Sequence, residues 1–140
     1  AHATAAAAPA DEPSFVLVVD DSPSVRHITS KALSAAGWNV VTARDGVDAL
    51  EILKRRNLPQ VVLTDVEMPR LDGYGLAAAI RENERLRGIP VVFVTSRSGE
   101  KHRDKAAELG VTEYLTKPFV ESELIETVER LAAVPVEVLI

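Results

Sequence analysis

Three stretches of the chain are almost wholly apolar runs, Phe15-Val16-Leu17-Val18-Val19, Val61-Val62-Leu63-Thr64 and Pro90-Val91-Val92-Phe93-Val94, and two more, Trp38 to Ala43 around Val40 and Val41 and Val111 to Leu115, are mixed and read as short strands. Runs of this length closed by turn chemistry predict strands buried on both faces. Between them the apolar positions change period. Val25, Ile28, Ala32, Leu33 and Ala36 recur at helical spacing behind Ser22-Pro23, a cap followed by a first helical residue, and Gly37 ends that helix. Asp45-Gly46 is a turn into a second helix marked by Val47, Leu50 and Leu53, which ends near Asn57, ahead of Pro59. Asp72-Gly73 opens a third helix carrying Leu76, Ala79 and Ile80, which frays into Glu82-Asn83-Glu84-Arg85. Ser98 through Leu109 reads as a fourth, mostly charged and poor in large apolar anchors, closed by Gly110. Glu121 to Ala132 is the fifth, with Leu124, Ile125, Val128 and Leu131 inward.

Five alternations of strand and helix imply a single α/β domain: a parallel five-stranded sheet covered on both faces, with right-handed crossovers. All strand carboxyl ends then lie on one edge, where open α/β sheets bind ligands. Four of the five ends carry polar groups there: Asp20 and Asp21, Asp65, Thr95 and Ser96, and Lys117. The second strand ends in Ala43-Arg44 and brings no evident chemistry.

Composition narrows the classes. A chain of 140 residues with 46% hydrophobic and 26% charged residues suits one globular domain. A net charge of −5 gives no reason to expect nucleic acid or an anionic membrane as partner. Cysteine is absent, which excludes disulfides and thiolate metal sites and fits a cytoplasmic setting. Three histidines, at positions 2, 27 and 102, make no metal cluster; His27 and His102 read as solvated helix residues. No apolar run approaches the ~20 residues of a spanning helix. Residues 1–13 lack the basic start and bulky apolar centre of a secretory signal and read as an Ala/Pro-rich linker to something upstream. Residues 14–132 form the domain. Residues 133–140, within them Val134-Pro135-Val136-Glu137-Val138-Leu139-Ile140, are an apolar tail expected to pack on a neighbour or to add a strand in a weak dimer.

Three carboxylates in one crevice repel one another, and either a neighbouring Lys or a hard divalent cation must neutralise them. Oxygen ligands without His or Cys favour Mg²⁺ or Mn²⁺ over zinc. Such a metal site points to phosphoryl transfer. Asp65 can then act as the nucleophile, Asp20 and Asp21 can hold the metal, and Lys117 and the Thr95 hydroxyl can bind the phosphoryl oxygens. Taken singly, each residue has a plainer role, as helix cap, strand-end hydroxyl or surface lysine. Their convergence on one edge is the signal.

These residues resemble a CheY-like receiver domain of bacterial two-component signalling. The resemblance covers about residues 15–132 and rests on Asp20-Asp21, Asp65 with Met68-Pro69 and Asp72-Gly73 behind it, Thr95-Ser96, Tyr114, and Lys117-Pro118-Phe119. It implies a flavodoxin-like three-layer (βα)5 sandwich with strand order 2-1-3-4-5. It implies that Asp65 accepts a phosphoryl group from a phosphohistidine on a histidine kinase or phosphotransfer domain. It also implies Mg²⁺ held by Asp21, Asp65 and the main-chain carbonyl of Glu67, and through water by Asp20. In such domains the hydroxyl at the Thr95 position and the ring at the Tyr114 position move on phosphorylation and remodel the surface of the fourth helix, fifth strand and fifth helix. A cis bond at Lys117-Pro118 is expected as well. Thr95-Ser96-Arg97 with Glu100-Lys101-His102-Arg103 is similar, more narrowly, to receivers at the carboxyl end of chemotaxis-class CheA-type hybrid kinases, so a kinase core in the same chain is an expected partner. Glu67 and Arg97, each two residues past a site residue, are expected to overhang the pocket, pair across its mouth and tune phosphate lifetime.

Two other functions compete. Asp65-Val66-Glu67 loosely resembles the Asp-x-Asp of haloacid-dehalogenase-type phosphohydrolases, but no cap domain and little room for a substrate pocket are expected, and the Asp20-Asp21 pair lies on an earlier strand. A receiver fold used only as an interaction surface is the other, and the full set of site residues argues against it. No P-loop or kinase signature is present, so the domain itself is not expected to bind ATP or to act as a stand-alone enzyme.

Overall fold

The computed structural model describes residues 14–55, 57–97 and 99–132. Five strands alternate with five helices: β1 (Val16–Val19), α1 (Pro23–Ala35), β2 (Val40–Ala43), α2 (Gly46–Arg55), β3 (Val61–Thr64), α3 (Gly73–Glu82), β4 (Val91–Thr95), α4 (Glu100–Glu108), β5 (Glu113–Thr116) and α5 (Glu121–Ala132). The sheet is parallel throughout, in the order β2-β1-β3-β4-β5. The expected flavodoxin-like sandwich is the fold. The 1–13 linker and the 133–140 tail lie outside the described residues.

Alternate strand residues point to opposite faces, so two cores form from one sheet. Leu17, Val19, Val62, Val91 and Phe93 pack with Ile52, Leu53, Leu76 and Ile80 on one side. Val16, Val18, Val61, Leu63, Val92 and Val94 pack with Leu33, Leu124 and Val128 on the other. Each fully buried side chain of this kind stabilises the fold by about 1.5–3 kcal/mol. This is why β1, β3 and β4 read as unbroken apolar runs.

Several boundaries differ from the sequence reading. Trp38 and Val111 do not begin strands; their N–H groups donate to Leu33 O and Ala106 O at 3.0 Å and finish the turns closing α1 and α4. At the first of these, Gly37 supplies φ 98°, which a residue with a side chain adopts only under strain. Ile28 was expected inward and is 58% exposed, because Thr29, 3% exposed, takes the inward place between Val25 and Leu33. The segment after α3 does not fray: Asn83 Oδ1 accepts from the N–H groups of Arg85 and Leu86 at 2.9 and 3.2 Å, and Leu86 and Ile89 are buried.

Candidate functional site

Register brings the acids together. Val19 pairs with Thr64 across β1 and β3, so Asp20 and Asp65 follow side by side at the sheet edge. Their main chains extend the ladder, Asp20 N–H to Ala43 O at 3.1 Å and Asp65 N–H to Val19 O at 2.9 Å. Thr95 pairs with Thr116 across β4 and β5, which places Lys117 one residue beyond, and Lys117 N–H donates to Thr95 O at 2.8 Å. The Lys117–Pro118 bond is cis.

One carboxylate oxygen from each of Asp20, Asp21 and Asp65 lies within 4.8 Å of the others. Asp20 is buried, Asp65 half-buried and Asp21 exposed, so the cluster opens to solvent on one side. Lys117 Nζ sits 2.7 Å from Asp20 Oδ2 and 3.5 Å from Asp65 Oδ2. The two neutralising devices left open by the sequence are therefore compatible: the lysine answers Asp20 first, and Asp21 stays exposed on the open side of the trio. An all-carboxylate donor set fits a hard cation such as Mg²⁺ or Mn²⁺. Burial, with the charge of Asp20 adding to it, pushes the Asp65 carboxyl above its ordinary range, while the charge of Lys117 and the Val66 N–H pull it down. Val66 N–H donates to Asp65 Oδ1 at 2.7 Å.

The turn after β1 supports this arrangement. Ser22 N–H donates to Asp20 Oδ1 at 2.9 Å, and Ser22 Oγ accepts from Val25 N–H at 3.3 Å to cap α1. Gly73, at the start of α3, presses so close that a Cβ there would lie 2.3 Å from Asp65 O. Only glycine lets α3 start against the back of the acid.

Thr95 is buried, and its Oγ1 accepts from Arg97 N–H at 3.1 Å. Tyr114 is half-buried, its ring edge-on to Phe93 and its hydroxyl donating to Arg97 O at 2.8 Å. The Arg103 guanidinium lies 4.6 Å from the centre of the Tyr114 ring. Glu67 and Arg97 are both exposed and form an ion pair, which holds the Glu67 carboxyl below its usual range. His27 is exposed on α1. His102 is less solvated than its sequence setting implied, with Nδ1 3.3 Å from the Tyr74 hydroxyl.

The second strand contributes more than the sequence reading allowed. Asp45, two residues past its end, is buried and receives Arg70 in a two-pronged pair: Nε donates to Oδ2 at 2.8 Å and Nη2 to Oδ1 at 3.1 Å. In the sequence Asp45-Gly46 has the signature of a plain turn, and only the three-dimensional approach of the β3–α3 loop reveals the partner.

A parallel five-stranded sheet with an acidic trio, a lysine and a hydroxyl at its carboxyl edge defines a class of signalling domain, and the chain belongs to it: residues 16–129 match the response regulator receiver domain family. The chain is 38% identical over 117 residues to the sensor histidine kinase CheAY of Helicobacter pylori, covering 83% of this chain and 15% of that protein. It is 37% identical over 114 residues to protein PilG of Pseudomonas aeruginosa, covering 81% of this chain and 84% of PilG. Among solved structures it is similar to the receiver domain of the sensor histidine kinase PA1611 from Pseudomonas aeruginosa, with a TM-score of 0.80 and 28% identity over 88% of this chain and all (100%) of that one. That structure has a magnesium ion coordinated in its active-site cleft. Among the described residues no helix is long and apolar enough to cross a membrane.

Proposed function

We propose that the domain, residues 14–132, accepts a phosphoryl group on Asp65 from the phosphohistidine of a histidine kinase or phosphotransfer domain, in trans or from a kinase core in the same chain, on the cytoplasmic side where such donors are charged from ATP. The observation that carries this reading is the convergence of Asp20, Asp21 and Asp65 within 4.8 Å, with Lys117 bonded into the group.

The chemistry follows from these positions. The Asp65 carboxylate attacks phosphorus, the P–N bond to the donor imidazole breaks, and the imidazole leaves with the bond's electron pair. Burial keeps Asp65 short of solvation and its Oδ1 is fixed by Val66 N–H, so little reorganisation precedes attack. Lys117, tethered at Asp20, presents its ammonium toward the phosphoryl oxygens beside Asp65. Thr95 accepts from Arg97 N–H and keeps its own proton to donate to a phosphoryl oxygen. Asp20, Asp21, Asp65 and the Glu67 main-chain carbonyl would hold a Mg²⁺ or Mn²⁺ ion, which when bound would supply positive charge to offset repulsion between the carboxylates and phosphate. Thr95 and Tyr114 both bond to Arg97, so a shift of the Thr95 hydroxyl reaches the Tyr114 ring through one residue.

The test is treatment with acetyl phosphate and Mg²⁺ followed by intact mass. One phosphoryl adduct is expected, absent in Asp65→Asn and in excess chelator. An adduct that persists in Asp65→Asn would move the acceptor elsewhere. No adduct would favour a pure interaction module, and steady turnover of small phosphate esters would favour a phosphohydrolase.

A further inference from the structure

We propose that Arg70 and Asp45 are positioning residues for the metal site: their ion pair holds the loop after Asp65 in the shape that presents the Glu67 carbonyl. The inference rests on the reading of that site as a Mg²⁺ site. Among the described residues Arg70 is the non-glycine with positive φ, at 68°. That backbone region strains any residue carrying a Cβ and persists only where the surroundings impose it. Here the surroundings are the turn behind β2. Arg70 grips Asp45 through two parallel bonds of 2.8 and 3.1 Å, and Asp45 is itself fixed, 3% exposed, with Oδ1 also accepting from Asp48 N–H at 2.9 Å. A second tie runs from Gly46 N–H to Leu71 O at 3.0 Å, where a Cβ on Gly46 would lie 2.5 Å from that oxygen. Gly73 N–H closes the base of the loop on Val66 O at 2.8 Å. Residues 67–69 are thus strung between a closed base and a clamped, strained Arg70, and Glu67 is among them.

Charge alone would argue the other way. Arg70 is a cation on the loop of a cation site, and its field opposes Mg²⁺. Its benefit to the site must therefore come from shape, and this makes the sign of the effect decisive. Metal-free wild type, Arg70→Ala, Arg70→Gly and Asp45→Asn, each as the full chain, are titrated with MgCl₂ by calorimetry. Amide hydrogen exchange over residues 66–71 is followed without metal. Arg70→Ala keeps the strained position without the clamp; it is expected to weaken Mg²⁺ binding by about tenfold and to speed exchange in the loop. Asp45→Asn keeps the bond from Asp48 N–H and is expected to weaken binding less. Arg70→Gly removes the clamp but also the strain and is expected to weaken binding less than Arg70→Ala does. Tighter binding by both Arg70 variants, or unaltered binding and exchange in Arg70→Ala, overturns the inference. A wild type that binds no Mg²⁺ overturns instead the reading of the site on which it rests.

Discussion

Arg97 links three residues around the acceptor site. Its N–H donates to the Thr95 hydroxyl, its carbonyl accepts from Tyr114, and its guanidinium meets Glu67. It follows Thr95 by two residues and Glu67 follows Asp65 by two, so the pair bridges the loops behind β3 and β4. We read this bridge as a partial screen over the acceptor, slowing the water that would hydrolyse an aspartyl phosphate. Glu67→Ala is then expected to shorten the lifetime of phosphorylated Asp65 several-fold, and Arg97→Ala to do the same. The double variant should be no faster than the quicker single one, since both remove one contact. Loss of the adduct after removal of the phosphodonor, timed by intact mass, checks this. Unchanged decay in both single variants would reduce the pair to a solvated surface contact.

The helices of this fold are unequal, and the inequality was readable. Leu124 and Val128 anchor α5, and Leu76, Ala77 and Ile80 anchor α3, whereas α4 buries only Ala106. A helix held by so little apolar area opens at low cost. Among the five helices, α4 is therefore expected to show the fastest backbone amide exchange, with α3 and α5 orders of magnitude slower. Equal protection across all five would remove α4 from the proposed switching surface. Strands buried on both faces announce themselves as runs such as Val61-Val62-Leu63, and Ser22-Pro23 marks a helix start through chemistry local to a few residues. The choice of Thr29 over Ile28 for the inner face of α1 was hidden because both fit helical spacing between Val25 and Ala32, and packing decides it. Asp45 was hidden because its partner lies in another loop. Asp20, Asp21, Asp65, Thr95 and Lys117 were legible because a parallel sheet sends every strand end to one edge.

On the scale of the molecule, that edge carries two acidic centres balanced in opposite ways. At Asp65 burial dominates and the carboxyl is pushed up; at Asp45 the hydrogen bond from Arg70 dominates and the carboxyl is pulled below its ordinary value. A carboxyl whose folded value is depressed contributes stability that is fully present above its unfolded value, about 3.9, and is lost as pH falls through the lower folded value. Asp45 therefore belongs to the acid limb of the stability curve: its contribution is intact at neutral pH and declines below about pH 4. Asp45→Asn keeps an acceptor for the Asp48 N–H but has nothing to titrate. It is expected to be less stable than wild type at pH 7 and to lose less on acidification, so that the two curves converge below about pH 4. Urea midpoints taken with chelator present, from pH 7 down to about 3, measure the gap directly and keep bound metal out of the comparison. A gap that stays constant to the lowest pH would mean that the pair with Arg70 acts through packing rather than charge, and a gap that widens would reverse the sign assigned to Asp45.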